Sequence, residues 1–166
     1  MMMRSAARRD QLGISIQELL IVMAILSMLI ISIPNLNGFH RVLKARSAVN
    51  EISATLNLAR QLAVRSRASH VFIPMAADNT WQLRNLETGK IVRHGQLPSG
   101  VTHSVLAAFQ FDKNGQCLNP TIFDGSQPTT QYLQLEADLL SGRKVRYTLT
   151  LSPISRVTTT AEHFES

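Results

Sequence analysis

Between Leu19 and Ile33 the only polar residues are Ser27 and Ser32, and this is the one long apolar run in the chain. Counted from Ile14, the run would form a helix about 30 Å long, enough to cross a bilayer core. Glu18 lies near its start, in Gly13-Ile14-Ser15-Ile16-Gln17-Glu18. A carboxylate at the bilayer centre costs about 2.5 kcal/mol or more, so one retained in such a run calls for a function and a partner. Pro34 follows, then Asn35, Asn37 and Gly38, a combination that predicts a kink or a loosened turn. Helical periodicity then returns. Phe39, Val42, Val49, Ile52, Leu56, Ala59 and Leu62/Ala63 recur mostly three, four or seven apart and predict one apolar face. Arg41, Lys44, Arg46, Glu51, Arg60 and Arg65 fall largely off it, as a solvated face would. The spacing predicts one long helix over roughly 14–66, ending where Ser66 to Ser69 breaks the pattern.

Beyond it the pattern changes to short runs separated by turn residues. Strands are predicted at 70–73, 80–83, 90–92, 101–105, 109–111, 132–136 and 144–151, with a weaker last strand at 155–160. Val145, Tyr147, Leu149 and Leu151 alternate clearly onto one side. Residues 87–90 and Asp112-Lys113-Asn114-Gly115 read as turns. Residues 119–130 are rich in Pro, Gly, Asp, Ser and Thr and read as a loop. The fold class is therefore α+β, a long N-terminal helix on an antiparallel sheet domain. Residues 1–13 would precede the helix, 14–34 would be its apolar half, 35–66 its amphipathic half, and 67–166 the β-rich domain.

Composition narrows the function. The chain is 166 residues, 45% hydrophobic and 17% charged, with a formal net charge of +6. Arg4, Arg8, Arg9 and Asp10 contribute a net +2 of that charge before the apolar run, which predicts a cytoplasmic N-terminus. A secretory signal peptide would have a shorter apolar region and a small-x-small cleavage site. The single cysteine, Cys117, allows no internal disulfide. His40, His70, His94, His103 and His163 show no metal-ligand spacing, and no nucleophile elbow or phosphate-binding loop appears. Neither an enzyme nor a cofactor is expected.

Gly13, Ile14 and Glu18, behind a short basic leader, resemble the class III signal of type IV pilins and type II secretion pseudopilins. The resemblance implies cleavage between Gly13 and Ile14 by a prepilin peptidase, N-methylation of Ile14, and retention of the helix in the inner membrane. Ile14 stands where Phe is commoner, Ser15 where Thr is, and Gln17 where an apolar residue is usual. Cleavage would free an amine four residues before Glu18. Glu18 of one subunit would then neutralise Ile14 of a neighbour and set axial register along a span whose other contacts are apolar. Residues 54–67, with Leu56, Ala59-Arg60, Ala63 and Arg67, look like the helix end of the GspH/FimT family. The Trp81 strand, the turn after Phe111 and the closing hairpin resemble it too.

The resemblance implies a minor pilin that joins a type IV pilus, with other pilins as partners and a periplasmic head. The alternatives are a pseudopilin of type II secretion and an uncleaved, membrane-tethered periplasmic binding module. Some members of the family bind DNA through a C-terminal Gly-Arg-x-Arg. Here Ser155-Arg156-Val157-Thr158 keeps one Arg of that motif. Gly142-Arg143-Lys144-Val145-Arg146 has its composition with one extra residue. Arg143, Lys144, Arg146 and Arg156 are thus the candidate DNA contacts, suited to phosphates rather than to base reading.

Overall fold

The structure, a computed structural model, describes residues 15–32, 36–125, 127–139 and 142–165. The chain divides into two compact units, Met1–Leu36 and Asn37–Ser166. In the first, α1 covers Ile16–Ser32. Its start is capped: the Gln17 N–H donates to Ser15 Oγ at 3.2 Å, and the Leu19 N–H to the Ser15 carbonyl at 3.0 Å. Its 17 residues make about 25 Å of helix. Among the described residues no helix is long and apolar enough to cross a membrane. Ile14, Ile33 and Pro34, where the predicted span begins and ends and where the predicted kink falls, lie outside the described residues.

The second unit is built around α2, Leu36–Ser66, which belongs to it from Asn37 onward. Ala45, Ala48, Val49, Ile52, Leu56, Ala59 and Ala63 are buried at three- and four-residue spacing. Four of these seven are alanines, and they share one core with the apolar residues of the strands. Thr55 is buried among them, and its hydroxyl donates to the Glu51 carbonyl at 2.8 Å. The buried face begins at Ala45 rather than at Phe39, whose ring is exposed. Arg67, at φ 51°, takes the left-handed conformation that ends the helix.

Among the described residues ten antiparallel strands follow. They are β1 His70–Met75, β2 Thr80–Asn85, β3 Ile91–Gln96, β4 Val101–Val105, β5 Phe109–Phe111, β6 Ile122–Asp124, β7 Gln127–Thr130, β8 Tyr132–Asp138, β9 Arg143–Leu151 and β10 Val157–Glu165. One sheet has the order β3-β2-β1-β5, a second β10-β9-β8-β4, and β6 pairs with β7 alone. Both larger sheets send their apolar side to α2. Phe72, Trp81, Leu83, Phe109 and Phe111 come from the first, and Leu133, Leu135, Val145, Leu149 and Leu151 from the second. Phe72 and Trp81 stack with centroids 5.8 Å apart. Trp81 also lies against Gly95 of β3, its cross-strand partner, where there is no room for a Cβ.

Two elements differ from the sequence expectation. The loop predicted at 119–130 contains the β6–β7 hairpin, because Thr121 fixes its base. The Thr121 N–H donates to the Leu151 carbonyl at 2.7 Å, and the Thr121 hydroxyl accepts from the Leu151 N–H at 2.9 Å. That hydroxyl also donates to the Gln131 carbonyl at 2.7 Å. The last strand, read as weak, runs nine residues, in register with β9 from Val157↔Leu151 to Glu165↔Arg143. Its own residues are mostly exposed, so its length comes from backbone pairing rather than from a buried face.

Candidate functional site

Two places carry the residues singled out from sequence. The first is the start of α1. Glu18 sits in its first turn, where a carboxylate interacts favourably with the helix dipole. Ser15 at the cap and Glu18 three residues on have the spacing of a capping box. Around Glu18, α1 exposes apolar side chains: Ile16, Leu19, Leu20, Ile21, Val22, Met23, Ile25 and Leu26 are between 48% and 80% exposed. Gly13 and Ile14 lie outside the described residues.

The second place is the outer face of the β10-β9-β8-β4 sheet. Alternation along β9 turns Val145, Tyr147, Leu149 and Leu151 inward and Lys144, Arg146, Thr148 and Thr150 outward. Register then sets two rows beside the outward residues. Asp138, Glu136, Gln134 and Tyr132 face them from β8, and Phe164, Glu162, Thr160 and Thr158 from β10.

Each candidate DNA contact on β9 therefore has a carboxylate neighbour. Arg146 donates through Nε and Nη2 to Glu136 Oε1, at 2.8 and 2.7 Å. Its guanidinium lies 4.4 Å from the Phe164 ring centroid. This group is half-buried and held from two sides. Lys144 Nζ, itself half-buried, is 3.7 Å from the exposed Asp138, and Arg143 Nε is 3.5 Å from Glu165, both of these toward solvent. Exposed pairs of this kind are weak and exchange readily. Arg156 lies apart from these three, in the β9–β10 turn. Its N–H donates to Ser152 Oγ at 3.0 Å, and its side chain is exposed, with no ion pair among the described residues. The structure thus brings Arg143, Lys144 and Arg146 onto one strand and leaves Arg156 at its far end.

Sequence reading missed the threonines of this face. The β6–β7 hairpin crosses it, and Phe123 and Pro128 join Thr148, Thr150, Thr158 and Thr160 around a cavity of about 350 Å³. The Thr-x-Thr alternations at 148–150 and 158–160 were visible in the chain. The hairpin that makes a cavity of them was not.

Among the described residues two titratable groups depart from their ordinary behaviour. Burial pushes the His103 pKa down from 6.5, and the nearby Thr80 backbone offsets this only in part. Neither ring nitrogen reaches hydrogen-bonding geometry, and burial is the larger effect. Burial also pushes the Cys117 thiol up, against a long contact from Sγ to Asn119 Oδ1 at 3.8 Å. Among the described residues no group of three His, Cys, Asp or Glu side chains could hold a metal ion.

A family model described as type II transport protein GspH matches residues 48–154. The similar solved structures include two crystal forms of the type IV minor pilin FimU of Pseudomonas aeruginosa strain PAO1. The P21 form is 18% identical, covers 74% of this chain and 92% of its own, and has a TM-score of 0.50. The P65 form is 19% identical, covers 69% and 91%, and has a TM-score of 0.47. At this identity the first of them speaks for the pilin-like fold alone. No curated protein matches the chain in sequence.

Proposed function

The chain belongs to the GspH family, and on that footing we propose that it is a minor type IV pilin, cut after Gly13 and built into a pilus through its N-terminal helix. The observation that carries this is α1 itself. A helix apolar on all sides, with Glu18 its only charged residue, exposes surface that water disfavours. Lipid covers such a helix before assembly, and the helices of neighbouring subunits cover it afterwards. In this reading the inner membrane holds the helix, the N-terminus is cytoplasmic, and the β-rich head lies in the periplasm. Prepilin peptidase and other pilins are the partners, and the task is structural rather than catalytic.

Glu18 has two possible roles, and they can be separated. If it pairs with the freed Ile14 amine of a neighbour, its charge is essential, because an unpaired buried charge is far costlier than a paired one. If it only completes a capping box, Gln serves equally well. Assembly of Glu18→Gln subunits should fail like that of Glu18→Ala, measured as subunit recovered in sheared filaments. Normal incorporation of Glu18→Gln would remove the charge-pairing role.

A second home has its own support, since the matching family model is described as a type II transport protein. A pseudopilin of the type II secretion system would have the same helix, the same processing and the same Glu18. Crosslinking from a photoreactive residue at Ile21 would separate the two, by capturing pilus subunits or pseudopilus subunits. DNA binding in natural transformation is a finer proposal. It rests on Arg156 and on the loosely paired Arg143 and Lys144, because Arg146 is already committed to Glu136.

A further inference from the structure

We propose that the cavity between the β6–β7 hairpin and the outer face of β9 and β10 binds a neutral saccharide. The site is independent of how the subunit is anchored. Its volume, about 350 Å³, lies at the lower end of the range for small-molecule sites, which suits the end of a glycan.

The lining is built for hydroxyl groups. Thr150 and Thr158 stand opposite each other across β9 and β10, as do Thr148 and Thr160. A threonine hydroxyl has one donor and two acceptor positions, the same inventory that a sugar hydroxyl presents; that of Thr150 spends its donor on the Thr158 carbonyl at 3.5 Å and keeps its acceptor positions. The Gln134 amide donates to Thr148 Oγ1 at 3.2 Å, which turns that hydroxyl into a held group. Thr148 and Thr150 are only 7% exposed. They sit on a strand flanked on both sides by β8 and β10, with the hairpin across the cavity from them.

The opposite wall is largely apolar, with Gln127 its one polar side chain. Phe123 and Pro128 come from the hairpin, and the Phe123 ring is about half exposed, at 49%. An aromatic ring at the mouth of a polar cleft suits the C–H face of a pyranose. At the floor, Arg146 is fixed by Glu136, and Glu162 flanks it from β10. Arg146 and Glu162 are the only charged residues of the lining, so it carries no net charge and offers directed donors and acceptors. With no surplus cation to hold a phosphate or a uronic acid, the site suits a neutral ring. The hairpin does not hang loose over the cavity. Thr121 ties its base to Leu151 and Gln131, and Asn119 adds bonds to the Gln110 N–H at 2.9 Å and to Gln131 Oε1 at 3.2 Å.

The test is saturation-transfer NMR on the full chain in a detergent without a sugar headgroup. The probes are cellobiose, maltose and chitobiose at about 10 mM, a concentration that detects millimolar affinity. Saturation transfer from at least one of them is expected, with galacturonic acid giving none. In Thr158→Val/Thr160→Val, both exposed strand positions that keep a β-branched side chain, the affinity should fall about tenfold or more. Phe123→Ala should weaken binding similarly without touching the sheet. Trp81 fluorescence checks that each variant is folded. The proposal is overturned if none of the three sugars shows transfer to the folded protein. It is equally overturned if both folded variants bind as well as the parent, or if galacturonic acid binds best.

Discussion

Ser155 Oγ donates a 2.8 Å hydrogen bond to the carbonyl of Gly115, forty residues earlier, and both residues are buried. Through it the β9–β10 turn is tied to the turn after β5. Gly115 in turn lies against α2, where an added Cβ would meet Val64 Cγ2 at 2.7 Å and Arg60 Cγ at 3.2 Å. Three elements distant in sequence thus meet at one glycine.

This junction predicts a graded result. Gly115→Ala has to place a side chain at φ +76° and push against Val64, and should cost about 2–4 kcal/mol in urea denaturation of the head. Gly89→Ala, at φ +69° with nothing within 4 Å, should cost only the conformational part, about 1 kcal/mol. Equal losses at the two sites would mean that the contact with α2 is unimportant.

Gly95 makes a second steric prediction. An added Cβ would overlap Cζ2 of Trp81, a residue that is 1% exposed and the only tryptophan in the chain. Gly95→Ala should displace the indole from its place on Phe72 and cost about 1–3 kcal/mol. A red shift in tryptophan emission reports the displacement directly. An unchanged spectrum with unchanged stability would show that the indole can move aside at no cost.

How much of this was legible in the chain varies with the cause. Strands such as Val101–Val105 and Phe109–Phe111 were readable because short alternating or β-branched runs are bounded by turn residues. The helix was readable from Val49 onward, but Phe39 was misplaced into the core. Periodicity marks an apolar face without saying where the sheets that cover it begin. The β6–β7 hairpin was invisible because its order comes from Thr121 and Asn119 reaching distant backbone, not from local propensity. The cations at 143–146 were legible as a cluster. Their pairing with Asp138, Glu136 and Glu165 was not, because that depends on strand register. Gly13, Ile14 and Glu18 remain a sequence reading with a structural setting only for Glu18.

His103 predicts a pH dependence. Its folded pKa lies below 6.5, so the folded state favours the neutral ring and the unfolded chain takes up the proton first. Its contribution to stability is complete above pH 6.5 and is lost as the pH falls from there through the folded pKa. Denaturation midpoints should therefore drop more steeply with acidification in the parent than in His103→Gln. Parallel pH profiles would exclude His103 as a source of acid sensitivity.

The DNA proposal predicts an ordered mutational series. Arg143→Ala, Lys144→Ala and Arg156→Ala should each reduce the salt dependence of duplex retardation by about one unit of log–log slope. Arg146→Ala should leave that slope nearly unchanged, because its charge is already spent on Glu136. Absence of retardation by the full-length protein at low salt would end the DNA reading and leave the filament reading intact.

The central claim is that this chain is a processed filament subunit, and its mature N-terminus tests that most directly. Mass spectrometry of the protein recovered from its own membranes should find a chain that begins at Ile14 and carries one N-terminal methyl group. A folded chain that keeps residues 1–13 would contradict the account, and would leave a tethered head with no freed amine for Glu18 to meet.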